Sequence, residues 1–220
     1  MVVTIDGPAG AGKSTVARAL ARELGFAYLD TGALYRAVAL AASWDGVDPG
    51  DEPVVEAWLT RVELEVLLAG GRFVVRLQGR EVEPFIRNEQ IGQLASRLSA
   101  LAPVREFLLD LQRRAADQGD LVAEGRDMGT VVFPQARAKF FLTADDRERA
   151  RRRWLELKDQ RPDLTLEEVL QEMRRRDERD ASRKLSPLQP APGAELVDTT
   201  GLSPEEVVRL LAEKVRKIAP

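Results

Sequence analysis

The sequence predicts an α/β fold, a five-stranded parallel sheet flanked by helices and interrupted by an antiparallel β insertion. Three observations carry this. At the N-terminus a short apolar run, a glycine-rich loop and an amphipathic helix follow one another without a gap. Further short apolar runs then alternate with helical periodicity along most of the chain. The middle of the chain breaks that grammar with two-residue alternation between glycine-containing turns.

Val2-Val3-Thr4-Ile5 is apolar and largely β-branched, too compact for a helix and suited to a strand covered on both faces. From Lys13 onward Val16, Ala17, Leu20, Ala21 and Leu24 share one helical face, and Gly25 supplies a C-cap. Residues 26–29 read as a second buried strand, ending in Asp30. Val62, Leu64, Val66 and Leu68 alternate up to the Ala69-Gly70-Gly71 turn, and Phe73, Val75 and Leu77 alternate after it until Gln78-Gly79. Residues 61–83 therefore predict an antiparallel meander, an inserted subdomain. Helical spacing returns through Leu94, Leu98 and Leu101, then through Val104, Leu108 and Leu111, with Pro103 suited to a helix start. Residues 121–123 and 138–142 read as core strands and 195–197 as a weaker last one. A basic helix runs from Asp145, while Thr165 with Glu168 and Ser203 with Glu206 form capping boxes that open two more helices.

Composition narrows the chemistry. The 220 residues are 44% hydrophobic and 31% charged, which is ordinary for a globular protein and unlike a disordered one. With no Cys and no His, the chain has no thiolate nucleophile, imidazole base or soft-ligand zinc site. Lys, Arg, carboxylates, hydroxyls and amides remain, an inventory that fits phosphoryl transfer. Only six of the 33 basic residues are Lys, so the cations are mostly Arg, whose planar fork binds phosphate bidentately. A formal charge of -3 argues against a broad nucleic-acid surface. Apolar runs are too short to cross a bilayer and no secretory leader is recognisable, so no membrane association and a cytoplasmic location are expected.

GPAGAGKS, residues 7–14, satisfies the Walker A pattern and lies between a predicted strand and a predicted helix, as that pattern requires. Gly7, Pro8, Ala9, Gly10, Ala11, Gly12, Lys13, Ser14 and Thr15 are expected to hold ATP, with backbone amides and a helix N-terminus converging on its phosphates. Lys13 reaches the β- and γ-phosphates in this reading, and the Ser14 hydroxyl approaches Mg²⁺. Such a loop also serves GTPases, motor ATPases and small-molecule kinases. The guanine-reading Asn-Lys-x-Asp is absent, and a motor usually needs more chain, which leaves kinases of small metabolites.

Three further runs follow that loop: DTGALYR (30–36), EGRDMGTVVFP (124–134) and RRRDERDASR (174–183). Together the four closely resemble the bacterial cytidylate kinases over essentially the whole chain. The resemblance implies a P-loop fold with strand order 2-3-1-4-5. It divides the chain into a core (1–31, 101–144 and 182–220), a nucleoside monophosphate-binding domain (32–100), and a helical lid with its adjoining helix (145–181). It implies a monomer that transfers the γ-phosphoryl of ATP, as its Mg²⁺ complex, to CMP and dCMP. By the same resemblance Tyr35, Arg36, Arg126 and Arg183 surround the acceptor phosphate, Arg176 and Asp180 lie near the ribose, and Thr31 belongs to the acceptor site. Ser96, Arg105 and Asp127 resemble residues that read the cytosine edge. Cytosine offers an amino donor beside two acceptors, so a carboxylate or hydroxyl with an Arg fork is complementary, whereas uracil reverses the donor. In the basic helix Arg149 and Arg153 share a face and are expected to close over the transferring phosphate. Lys13, Arg126, Asp127, Arg149, Arg153 and Arg183 are the expected catalytic set. A kinase of UMP or of an alcohol such as shikimate, and a nucleotide-binding regulator without transferase activity, are the alternatives.

Overall fold

The computed structural model describes residues 1–159 and 161–218. In chain order, β1 (Val2–Asp6) leads through the glycine loop into α1 (Lys13–Leu24), and β2 (Ala27–Asp30) leads into α2 (Thr31–Asp45) and α3 (Glu52–Leu59). Strands β3 (Leu64–Ala69), β4 (Arg72–Leu77) and β5 (Arg80–Glu81) form the meander, followed by α4 (Glu89–Leu98) and α5 (Ala102–Ala115). The chain returns through β6 (Leu121–Glu124), a π-type turn at Met128–Val132, and β7 (Ala138–Thr143). The helix pair α6 (Asp146–Leu157) and α7 (Leu166–Ala181) precedes β8 (Glu195–Asp198) and α8 (Pro204–Ile218).

The sheet runs β3-β4-β2-β6-β1-β7-β8, with β5 paired to β4. Its parallel part, β2-β6-β1-β7-β8, has the expected order 2-3-1-4-5 when the parallel core strands alone are counted. The antiparallel meander is joined to this sheet: β4 pairs in parallel with β2 at Tyr28 and Arg72, and Tyr28 N donates to Gly71 O at 3.0 Å. Strand β2 would otherwise be a bare edge of unpaired amides and carbonyls, and the insertion covers it.

Both hairpin turns use paired positive φ angles, 58° and 76° at Gly70-Gly71 and 50° and 72° at Gln78-Gly79, whose twist matches that of the flanking strands. The core alternates with period two. Val3, Ile5 and Val122 pack with Leu20 of α1 and Leu211 of α8, while Leu121 and Ala123 face the other layer with Leu29 and Met128. Helix α2 is buried from Ala37 through Ala42, and the Asp30 carboxylate caps it by accepting from Ala33 N at 2.9 Å. Losing such a cap typically costs about 1 kcal/mol.

Register is what builds the site. Ile5 and Asp30 both pair with Glu124, so β1, β2 and β6 end level and their following loops open on the same edge. Crevices at the carboxyl ends of parallel strands are where α/β folds bind ligands. Among the described residues no helix is long and apolar enough to cross a membrane.

Candidate active site

The glycine loop is held by what lies behind it. At Gly7 (φ 145°) a Cβ would fall 2.0 Å from Leu142 O, and at Gly10 (φ 72°) it would meet Met173 Cε at 2.7 Å and Arg149 O at 2.8 Å. Gly12 (φ 84°) precedes α1 without any side-chain cap, so the first amides of that helix are left for a ligand. Lys13 lies folded against the loop, its Nζ donating to Pro8 O at 2.6 Å. Burial, and then the nearby Arg126, pull its pKa down to about 7 against the attraction of Glu124. A phosphate at its side would restore the charge.

A cavity of about 720 Å³ opens in front of this loop. Ala9 to Thr15 form one wall. The lining also includes Thr31, Tyr35 and Arg36 from α2, Ser96 from α4, Arg105 from α5, Arg126 and Asp127 after β6, Arg176 and Asp180 from α7, and Arg183 just beyond it. Gly7 and Pro8, expected among the ATP-binding residues, do not line the cavity and instead shape the turn behind it.

Two carboxylates organise these arginines. Asp180 accepts from Arg126 Nε at 3.1 Å and from Arg183 Nη2, and Arg183 also reaches Ser99 Oγ at 2.8 Å. Burial works against the Asp180 anion, yet Arg126, Arg183 and Arg176 hold its carboxyl below the usual range. Asp30 accepts from Arg36 at 3.1 Å and from Arg87 at 2.7 Å. Half-buried Arg176 has its pKa pulled down to about 10, first by desolvation and then by Arg126 beside it, despite Asp180. Cations crowded in this way stabilise an arriving anion. Ser96 Oγ, Arg36 Nε and Arg176 Nε are buried in the walls with no hydrogen-bond partner among the described residues, which points to a polar occupant.

The turn carrying Arg126 and Asp127 is fixed from below. Asp6, buried at the end of β1, accepts from Met128 N at 2.9 Å and Gly129 N at 2.8 Å, and burial pushes its pKa up to about 6. Asp127 in turn pairs with Arg105, whose guanidinium lies 5.7 Å from the centre of the Tyr35 ring. Thr31 spends its hydroxyl on the backbone, donating to Glu124 O at 2.7 Å.

Comparison with known proteins decides among phosphate-binding folds. The sequence pattern of the family described as cytidylate kinase matches residues 3–217. The chain belongs to the cytidylate kinase family. It is 47% identical to a cytidylate kinase of Carboxydothermus hydrogenoformans, over 97% of this chain and 96% of that one. It is 49% identical to one of Pseudomonas savastanoi pv. phaseolicola, over 96% and 94%. Two solved structures share the fold alone. An uncharacterised Eubacterium ventriosum protein superposes with a TM-score of 0.54 at 11% identity, and Bacteroides thetaiotaomicron shikimate kinase with 0.50 at 14%, each over 98% of both chains.

Against the resemblance to cytidylate kinases, the basic helix α6 holds the main surprise. Arg149 is buried outside the cavity wall, donating to Ala144 O at 3.2 Å, Ala9 O at 2.9 Å, Asp177 at 2.5 Å and Asp146 at 2.6 Å. Here it grips the glycine loop from behind, with its donors turned to protein groups. Arg153 does line the cavity, paired with Glu156 at 2.9 Å and with Glu89 of α4 at 3.4 Å. Arg152, passed over in the sequence, lines it as well, bonded to Thr199 O at 2.8 Å beside Leu202 and Pro204.

Glu124 was also not singled out. Buried at the end of β6, it accepts from Tyr28 Oη at 2.5 Å; burial and then Asp30 raise its pKa, while Lys13 and the Ser14 hydroxyl oppose them. An acid closing an apolar strand next to β1 was the available signal. Arg87 stands between the meander and α4, where no sequence pattern marks it.

Proposed function

We infer that this chain transfers the γ-phosphoryl group of ATP to CMP, giving ADP and CDP, with dCMP as a second acceptor. One observation carries the reading: a Walker A loop and a cluster of arginines line a single cavity. One anion site would suit a binding protein or a hydrolase, whereas two in one cavity suit transfer between two phosphates.

In this reading the amides of residues 9–15 and the Lys13 ammonium hold the ATP phosphates, and Lys13 leaves Pro8 O to do so. Arg152, Thr199, Leu202 and Pro204 take the adenine end. Arg36, Arg126, Arg176 and Arg183 hold the acceptor phosphate and neutralise charge as the phosphoryl group passes in line between the two oxygens. Ser96, Arg105 and Asp127 read the cytosine edge. A magnesium ion arriving with ATP fits the hard oxygens of Ser14 and Glu124, and it would offset charge on the β- and γ-phosphates. One chain suffices, since both anion sites line the same cavity.

The segments 32–100 and 145–181 are proposed to close over both substrates and exclude water. Their existing contacts, Arg153 to Glu89 and Gln93 to Glu172 at 2.7 Å, join α4 to α6 and α7. A panel of CMP, dCMP, UMP, AMP and shikimate with ATP and Mg²⁺, read by product formation, tests the assignment. CMP is expected to give the highest kcat/KM. A higher value for UMP or shikimate, or no product from any acceptor, would overturn it.

A further inference from the structure

Ser186, in the loop between α7 and β8, is one of two non-glycine residues with positive φ among the described residues. The other, Gln78, sits in a hairpin turn that requires that geometry. At Ser186 the φ of 50° has no hairpin to serve, and left-handed backbone is costly for a residue with a Cβ. It coincides with one contact: Ser186 Oγ accepts from Arg105 Nε at 3.1 Å.

That bond completes a frame around Arg105. Its Nη1 donates to Ser99 O at 2.9 Å, its Nη2 to Asp127, and its face lies over the Tyr35 ring. A guanidinium has five N–H groups, so one remains on each terminal nitrogen for a ligand. Arg105 lines the cavity and Ser186 does not. The loop is itself anchored to the site: Leu188 N donates to Asp180 O at 2.8 Å, and a Cβ on Gly129 would come within 3.0 Å of Ala191 Cβ. One segment thus touches the helix end that presents Asp180, the turn that presents Asp127, and Arg105 directly.

We propose that Ser186 is a positioning residue for recognition of the acceptor base, fixing the plane of the Arg105 guanidinium through its Nε–H. This rests on the reading of Arg105 and Asp127 as the groups that face cytosine. Without the hydroxyl, Arg105 keeps its bonds to Ser99 O and Asp127 but loses the one at its inner edge, so its plane can tilt about the two that remain, and a planar fork loses complementarity as it tilts.

The test compares Ser186→Ala and Ser186→Gly, each in the parent and in Arg105→Lys, by kcat and KM for CMP and UMP, KM for ATP, and thermal melting. Ser186→Ala is expected to raise KM for CMP about three- to tenfold, the loss of one hydrogen bond, and to narrow the preference for CMP over UMP. KM for ATP should not move. Ser186→Gly also lacks the hydroxyl but suits a positive φ, so it should show the same loss of preference with a melting temperature no lower than the parent's. In Arg105→Lys, which has no Nε–H fork, either change should have no further effect. A parental CMP preference in both serine variants, or equal effects in both backgrounds, would overturn the proposal while leaving the base reading intact. If Arg105→Lys itself keeps the parental preference, the base reading fails and the proposal fails with it.

Discussion

Arg126 and Asp180 meet across 54 residues of sequence, Nε to Oδ2 at 3.1 Å, and join the turn after β6 to the end of α7 at the cavity wall. Asp180 holds Arg183 as well, so one buried carboxylate orients two of the cations that line the cavity with the glycine loop. Asp180→Asn should therefore raise KM for the acceptor at least tenfold and lower stability by about 3 kcal/mol, the scale for breaking a buried ion pair. Acceptor titrations and denaturant melts check the two parts separately. Parental values in both would show that the arginines hold their places without it.

Lys13 is buried with its charge disfavoured, which costs the fold and serves the ligand. Lys13→Ala should lower kcat at least a hundredfold, as loss of a charge-stabilising donor does, without loss of folding stability. Single-turnover rates and thermal melting read these two quantities. A variant that turned over at the parental rate would remove Lys13 from the mechanism.

Asp6 gives a pH signature. Its folded-state pKa is raised from 3.8 to about 6, so the folded protein binds the extra proton between those values. The contribution of this group to stability is complete below about pH 3.8 and is lost as pH rises through about 6. Asp6→Asn cannot titrate there, so the difference in unfolding free energy, parent minus variant, should fall across that window and be flat above it. A difference that stays constant from pH 3.5 to pH 7, or that rises, would contradict this.

Arg149 and Arg153 should separate cleanly. Arg149→Met ought to lower the melting temperature and weaken ATP binding, because Ala9 of the glycine loop loses its hold on α6 and α7. Arg153→Met, on a half-exposed side chain, ought to leave the melting temperature near that of the parent and lower kcat. Melting curves beside ATP titrations and turnover decide it, and the reverse pattern would restore Arg149 to the reacting phosphate.

These contrasts mark where the sequence was legible. The Walker A loop, the five core strands and the meander could be read because each rests on local chemistry: glycines at positive φ, β-branched runs, two-residue alternation. Helix α2 was not delimited, since it is apolar almost all round and shows no polar stripe. The joining of β4 to β2 depends on pairing distant in sequence, which no local pattern encodes. Arg149, Arg152 and Arg153 carry the same charge in the same helix, and only packing against Ala9 and Thr199 tells them apart. Glu124 stood in view as one of 36 acidic residues, made distinctive only by the company of Tyr28, Ser14 and Lys13.

The central claim is direct passage of a phosphoryl group between two anion sites in one shielded cavity. Following the label from γ-³²P-ATP with CMP and magnesium tests it most directly. The account predicts that label appears in the β-position of CDP as fast as ADP forms, with little released as orthophosphate. Label that accumulates as orthophosphate while CMP stays unchanged would contradict it.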